Sequence, residues 1–170
     1  MSVHNQSETR LAARGGAIAG ILAGLILALF LVATSLAGGQ DAWMALKGAG
    51  APFLGQRAMQ PGFDALALIV GALCHFAVAI IWGVAFGLLF FGLHKTTTMI
   101  AGLFWGFVVW IGMYYMVLPV LGLGDVARGT PISLAIVSHL LFGVVLGAAF
   151  LPYQREYPGS ALPRAPRPGM

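Results

Sequence analysis

Four long apolar runs alternate with short polar segments along the chain. The runs cover about 16–37, 66–91, 99–121 and 131–151. None of them contains Asp, Glu, Lys or Arg, and each is long enough for a helix to cross a hydrocarbon core of roughly 30 Å. The pattern predicts an all-α fold, a polytopic membrane protein whose four transmembrane helices form a bundle.

The composition favours the same class. Of the 170 residues, 59% are hydrophobic and 8% are charged, and the mean hydropathy is +0.92. Soluble domains carry about 25% charged residues. The net charge of +4 comes from tails and loops, where a basic excess suits anionic lipid headgroups better than nucleic acid. We therefore expect the lipid bilayer as a partner and no nucleic acid.

The first run also allows a second interpretation, a cleavable signal peptide. A basic segment precedes the run, and the small residues Ser35 and Ala37 end it. Signal-peptide cores are usually only about 7 to 15 residues long. The 22 apolar residues of this run therefore favour a spanning helix.

Residues 41–58, between the first two runs, are too few and too charged to span a membrane. Trp43 leads a series of apolar positions near helical spacing, with Lys47 and Arg57 among them. We expect an amphipathic segment lying along the lipid headgroups, with its aromatic edge buried and both cations in water. The alternative is an ordered irregular loop that is broken at Pro52.

Capping and helix-breaking residues stand at the ends of the predicted spans. Asp64 is expected to be the N-cap of the second helix, and Thr130 the N-cap of the fourth, with Pro131 as its first residue. Pro119 is expected to kink or end the third helix. The candidate caps of the third helix are Thr96, Thr97 and Thr98.

The domain and its orientation follow from these spans. Residues 1–152 are expected to form one membrane domain, and the basic, Pro-rich tail 153–170 to be disordered. Six cations fall on one side of the membrane, Arg10, Arg14, Lys95, Arg155, Arg164 and Arg167. The other side has three, Lys47, Arg57 and Arg128. The positive-inside rule therefore predicts that both termini lie in the cytoplasm.

Small residues recur every fourth position in the spans, so that they share one ridge of each helix. The second and fourth spans also place a histidine in the row. The rows are Gly16, Gly20 and Gly24; Gly71, His75, Ala79, Gly83 and Gly87; Gly102 and Gly106; and Ala135, His139, Gly143 and Gly147. Such rows allow helix backbones to approach closely in lipid, and we expect them to form the helix-packing surfaces.

The rows indicate an internal duplication. Residues 17–25 match 99–107 at an offset of 82, and residues 71–86 match 135–150 at an offset of 64. The offsets differ by 18, which is close to the length of the segment between the first two spans. A duplicated helical hairpin, with an insertion in its first copy, explains both matches.

His75 and His139 are the main chemical question in the chain. An ionisable side chain within a span is costly unless it faces the bundle, so function is the default hypothesis for it. The alternative is that each neutral imidazole donates to a neighbouring group and serves as packing glue. Matched depth in two helices also allows the pair to ligate a b-type haem, or to relay protons in a small oligomeric transporter.

No other set of residues predicts a site. The sequence has no cluster of His, Cys or carboxylates for a metal, no phosphate loop and no paired intramembrane carboxylates. Cys74 lies inside a span and is expected to be a small buried hydrophobe. His4 and His94 lie outside the spans and are expected to be solvated. We expect no enzymatic activity, no catalytic residue, no metal and, apart from the haem alternative, no cofactor.

Three stretches carry a resemblance to a known family. They are HFAVAIIWGVAFGLL, AGLFWGFVVWIGMYYMVLPVLGLG and SHLLFGVVLGAAF. From about Trp43 to Phe150 the chain resembles an uncharacterised family of small bacterial four-helix membrane proteins. The resemblance implies a four-span inner-membrane protein and brings no known activity or catalytic residue.

A structural or accessory subunit of a membrane complex is the function that we expect. Nearly the whole chain lies in the membrane, and the sequence contains no sizeable soluble domain and no polar pathway. Its partners would be other membrane subunits or further copies of this chain. The alternatives are the haem electron carrier and the small transporter or proton relay.

Overall fold

The computed structural model describes residues 3–154, in which all regular structure is helical. Eight α-helices follow one another: α1 (Val3–Ala37), α2 (Met44–Lys47), α3 (Ala51–Leu54), α4 (Ala65–Phe90), α5 (Lys95–Gly112), α6 (Leu118–Val120), α7 (Gly124–Gly129) and α8 (Ile132–Phe150). Four stretches are long and apolar enough to cross a membrane, Gln6–Ala37, Ala65–Phe90, Lys95–Val120 and Ile132–Tyr153. The predicted all-α class with four spans is confirmed.

The four long helices pack as two tight pairs, α1 with α4 and α5 with α8. The pairs join mainly through α1 and α8. Ala19, Ala23 and Leu27 of α1 belong to the same buried cluster as Phe142 and Leu146 of α8. Residues 16–37 are thus an integral part of the bundle. We call the end that carries the segments 38–64 and 121–131 the cap end, and the opposite end the turn end.

The first helix starts earlier than the apolar run indicated. It begins at Val3 and not at Gly16, because no helix breaker interrupts the polar residues that precede the run. Ala12 is buried where its turn crosses Gly87 of α4. The polar start of α1 therefore extends the α1/α4 pair.

Residues 41–60 form a compact cap on α4. They fold as α2, a 3-10 turn, α3 and a second 3-10 turn, and Pro52 lies in the first turn of α3, where its missing N–H is tolerated. Pro52 therefore begins a helical turn and does not break one. The expectation that both cations stay in water is wrong for Lys47, which is 0% exposed. Trp43 and Phe63 meet edge to face at 5.4 Å.

The third span changes its helical register near the cap end. Its α-helix ends at Gly112, a π-helical turn covers Met113–Val117, and α6 contains Pro119. Proline cannot donate the usual bond to the carbonyl four residues before it, and a π-turn is one way in which a helix absorbs such a disturbance. The span ends at Val120, as the position of Pro119 predicts.

Two of the predicted helix N-caps differ from those observed. Asp64 is the N-cap residue of α4 as predicted, since its Oδ1 accepts from the Ala67 N–H at 3.0 Å. The N-cap of α5 is His94, and Thr98 is instead buried with its hydroxyl donating to the His94 carbonyl. Pro131 is the N-cap of α8 because the Thr130 hydroxyl donates backwards to Val126.

The predicted tail begins later than residue 153. Gln154 accepts from the Gly92 N–H at 2.7 Å and donates to both the Phe90 carbonyl and the Thr98 hydroxyl at 2.8 Å. Gly92 has a φ of 86° in the turn between α4 and α5, a conformation that glycine adopts without strain. Gln154 therefore fastens this turn. Residues 155–170, for which disorder is expected, lie outside the described residues.

Candidate functional site

The small residues of α1 and α4 bring the two backbones into direct contact. A Cβ atom at Gly20 would lie 2.5 Å from the Ala79 carbonyl oxygen, and one at Gly83 would collide with the Gly16 carbonyl. Gly24 faces the side chains of Ala79 and His75. No larger residue fits these positions unless the helices separate.

The α5/α8 pair repeats this arrangement at the positions that the duplication predicts. Gly102 corresponds to Gly20, and a Cβ atom on it would lie 2.6 Å from the Gly143 carbonyl oxygen. Gly143 in turn corresponds to Ala79. Gly106 packs in the same way against the backbone of His139. The two hairpins thus share one contact pattern, and the rows pair the helices two by two.

Two members of the rows have a different role. A Cβ atom at Gly71 would collide with the Leu46 carbonyl, so this glycine seats the cap and not another span. Ala135, at the equivalent position in α8, is buried and lies on the wall of a cleft. The packing surface predicted for these two residues therefore faces the cap-end segments.

His75 connects two helices. Its Nε2 donates to the Gly24 carbonyl at 2.9 Å, and its ring meets Phe76 edge to face at 5.3 Å. The Gly24 carbonyl is open to this bond because its residue has no side chain. The imidazole therefore adds a polar contact to the α1/α4 interface.

His139 is held by its own helix. Its Nδ1 donates to the Ala135 carbonyl at 2.8 Å, and the Ser138 hydroxyl lies 3.3 Å from the same nitrogen. The ring meets Tyr114 of the π-turn edge to face at 5.7 Å. The two histidines occupy equivalent positions in the sequence but make different contacts.

The two histidines differ in how well their observed contacts would allow them to ligate a haem iron. Haem iron is commonly bound through one imidazole nitrogen while the other donates to the protein, and His139 has its Nδ1 bound in that manner. His75 uses its Nε2 to hold Gly24, so it would have to release α1 to bind iron through that atom. Within residues 3–154, no three His, Cys, Asp or Glu side chains are grouped as a metal site would require.

Tryptophans join α4 to α5 along the wider side of the bundle. Trp82 and Trp105 meet edge to face at 5.7 Å, and the Trp105 indole donates to the Trp82 carbonyl at 3.2 Å. The Trp82 indole reaches the Met113 sulfur at 3.4 Å. The α4/α5 side of the bundle is thus filled by large side chains, whereas the two tight pairs rely on small ones.

A buried cation holds the cap together. The ammonium of Lys47 donates to the Gln60 and Gly62 carbonyls, and Asp41 lies 3.7 Å from it. Asp41 also accepts from the N–H groups of Trp43 at 2.9 Å and Gly62 at 2.7 Å. The Trp43 bond, with that of Gly62 and the charge of Lys47, lowers the pKa of Asp41 below its ordinary value. Both ends of the cap segment are thereby joined.

The start of α4 carries a second ion pair. Arg57 contacts Asp64 through Nε at 2.8 Å and through a terminal nitrogen at 3.2 Å. This side chain, together with the N–H of Ala67, lowers the pKa of Asp64 from 3.8 to about 2. The pair links the end of the cap to the helix that the cap covers.

A cleft opens between the end of the third span and the start of α8, and sequence reasoning missed it. Its volume is about 400 Å³. Its lining includes Trp110, Tyr114, Tyr115, Arg128, Thr130 and Ala135. The Trp110 indole nitrogen is buried and has no hydrogen-bond partner among the described residues. The aromatic sequence around Pro119 was the available signal, but a cleft also needs α7 to be placed beside it.

Comparison with known proteins identifies a family and no activity. No curated protein and no solved structure matches the chain. A family model, described as a family of unknown function (DUF6789), matches residues 12–158. The match extends beyond the stretch from Trp43 to Phe150 on which the resemblance rested. The chain therefore belongs to this family of unknown function, DUF6789.

Proposed function

We propose that this chain is a non-enzymatic structural or accessory subunit of a membrane complex. The observation that carries the proposal is the use of polar side chains within the spans. His75, Trp105 and Ser138 all donate to backbone carbonyls of the bundle itself. Groups engaged in this way contribute to helix packing, which supports a structural role.

The proposal includes a location, the bacterial inner membrane with both termini in the cytoplasm. The excess of Lys and Arg on the side of the termini supports this orientation. The cap and the cleft would then face the periplasm. A cysteine-accessibility measurement on the chain with Cys74→Ala, using single cysteines at exposed His94 and exposed Phe63, tests it. We expect an impermeant reagent applied from outside to label only the position of Phe63, and the reverse pattern contradicts the orientation.

Partnership in a complex can be tested by extraction into polymer-bounded bilayer discs without detergent. We expect a complex of fixed stoichiometry whose mass exceeds that of one chain. A photo-reactive amino acid placed singly at Leu29, Leu73 or Phe104, which are 57%, 67% and 61% exposed, reports the contacting face. At least one position should crosslink to one defined protein, and buried Phe86 serves as the internal control. A single-chain mass with crosslinks only to lipid contradicts the proposal.

Haem binding is the competing function. An absorbance spectrum of the purified protein distinguishes histidines that ligate haem from histidines that only pack between helices. The donation of His75 to Gly24 supports packing. We expect the purified protein to show no reducible Soret band after supplementation with haem during expression. A Soret band that disappears in both His75→Ala and His139→Ala would replace the structural proposal with an electron carrier. Proton flux that either substitution abolishes would instead indicate the transporter or proton relay.

A further inference from the structure

We propose that the cleft beside the π-helical turn binds one phospholipid with an anionic headgroup from the leaflet at the cap end. The cleft is defined by Trp110, Tyr114, Tyr115, Arg128 and their neighbours in the wall. Its volume of about 400 Å³ falls in the range of small-molecule sites. A lipid is a larger molecule, so the cleft would hold the headgroup and the glycerol region while the acyl chains continue along the bundle.

The duplication explains why this space is open. In the first hairpin, the backbone of Leu46 and Lys47 rests directly on Gly71, so the cap fills the corresponding place. In the second hairpin, Ala135 carries a Cβ atom where Gly71 has none, and the connection 121–131 is shorter than the cap segment. The equivalent position is therefore left with a cleft.

The wall of the cleft has the chemistry of a membrane interface. Tyrosine and tryptophan concentrate at the level of lipid headgroups because one part of each ring is apolar and another part is polar. Tyr115 and Ile132 in this wall are 65% and 64% exposed and offer an apolar surface for acyl chains. An amphiphile that enters the cleft thus meets polar groups and an apolar surface together.

Trp110 supplies a hydrogen-bond donor without a partner. Trp110 lines the cleft, and its indole N–H is buried and has no acceptor within residues 3–154. A buried donor left unsatisfied costs about 1 to 3 kcal/mol. An ester carbonyl oxygen of a glycerolipid is an acceptor at the depth of interfacial tryptophans, and it would satisfy this N–H once the ring turns toward the cleft.

Arg128 supplies the charge at the rim. Its guanidinium contacts Asp125 at 2.6 Å, but both side chains are well exposed, and exposed ion pairs are weak. The guanidinium has five N–H donors, so it can bind phosphate oxygens in a bidentate manner while it keeps or exchanges its bond to Asp125. A zwitterionic phospholipid carries the same phosphate, but its choline brings a second positive charge toward the guanidinium. An anionic phospholipid with the same acyl chains is therefore favoured.

The test measures lipid binding to the whole protein in a neutral detergent by native mass spectrometry. Phosphatidylglycerol and phosphatidylcholine with identical acyl chains are the probes. We expect one tightly bound phosphatidylglycerol per chain and weaker binding of phosphatidylcholine. Arg128→Gln should weaken the binding of phosphatidylglycerol about fivefold and that of phosphatidylcholine, which has the same phosphate beside a cation, by less. Arg57→Gln, an exposed cation at the same end of the bundle, is the matched control and should change neither.

Trp110→Phe keeps an aromatic ring and removes only the N–H donor. We expect it to weaken both lipids by about threefold to tenfold, because both carry the same ester carbonyl groups. Equal binding of the two lipids by the unaltered protein, or an Arg128→Gln protein whose preference for phosphatidylglycerol is undiminished, overturns the proposal. Inorganic phosphate at millimolar concentration should not displace the lipid. Displacement would show that the cleft recognises a free anion and no lipid.

Discussion

Lys47 is the charged side chain that the fold buries completely among the described residues. Its ammonium donates to the Gln60 and Gly62 carbonyls, and the Asp41 carboxylate lies 3.7 Å from it as an ion-pair partner. A charge can be buried in this way because it is both hydrogen-bonded and paired with an opposite charge. The cap is thus organised around one cation, and this cation gives the first prediction.

Lys47→Met should open the cap and leave the helical bundle assembled. The substitution keeps most of the apolar stem but leaves two carbonyls without their donor and Asp41 without its cation, at a cost on the order of 2 kcal/mol. Hydrogen exchange should rise across 41–62 and stay unchanged in the core of α8. Gln56→Ala is the control in the same segment, because Gln56 is exposed. Equal hydrogen exchange across 41–62 in Lys47→Met and in the unaltered protein would contradict the role of the ammonium.

The two histidines should respond unequally to substitution. His75→Ala removes a bond between helices, whereas His139→Ala removes a bond within one helix. Interhelical hydrogen bonds in membranes contribute about 1 kcal/mol. We therefore expect His75→Ala to lower the free energy of unfolding by about that amount, and His139→Ala by less. Steric trapping or titration with denaturing detergent measures both values, with exposed His94→Ala as the control, and an equal loss at the two positions contradicts this assignment.

At the scale of helices, the two tight pairs should be equally intolerant of an added methyl group. Gly20→Ala and Gly102→Ala each place a Cβ atom against a backbone carbonyl, at 2.5 and 2.6 Å. Overpacking of this kind costs about 1 to 3 kcal/mol. Gly48→Ala is the matched control, since no atom lies within 4 Å of its Cβ position, and it should leave stability unchanged or raised. A destabilised Gly20→Ala beside a tolerated Gly102→Ala would show that the two pairs are not equivalent.

The start of α4 should give the cap end a dependence on acid. The pKa of Asp64 lies at about 2 in the folded chain against an ordinary 3.8, so the carboxylate adds stability that is complete above pH 3.8. That stability is lost as the pH falls through about 2. Arg57→Gln should return the pKa of Asp64 toward 3.8. The fall of the thermal unfolding midpoint in acid, which we call the acid limb, should then begin at higher pH. Arg128→Gln is the control, and an acid limb that does not move in Arg57→Gln contradicts the coupling.

For the whole molecule, the sequence predicted those features that depend on periodicity. The lengths of the apolar runs located the spans, and the small residues at every fourth position located the faces on which helices pack. Asp64 marked a helix start that the structure confirms. The burial of Lys47 could not be predicted because it depends on carbonyls at Gln60 and Gly62, more than ten residues away. The cleft depends on a difference in length between two connections, which matters only once both hairpins are assembled.

The contacts of Gln154 have a consequence for biosynthesis. The turn between α4 and α5 leaves the ribosome long before residue 154 is translated. Until then the Gly92 N–H and the Phe90 carbonyl lack their hydrogen bonds to the Gln154 side chain. During insertion the turn that joins the two hairpins therefore stays unfastened on the cytoplasmic side, in the orientation proposed above. A nascent chain released before Gln154 would carry all four spans and still lack this fastening.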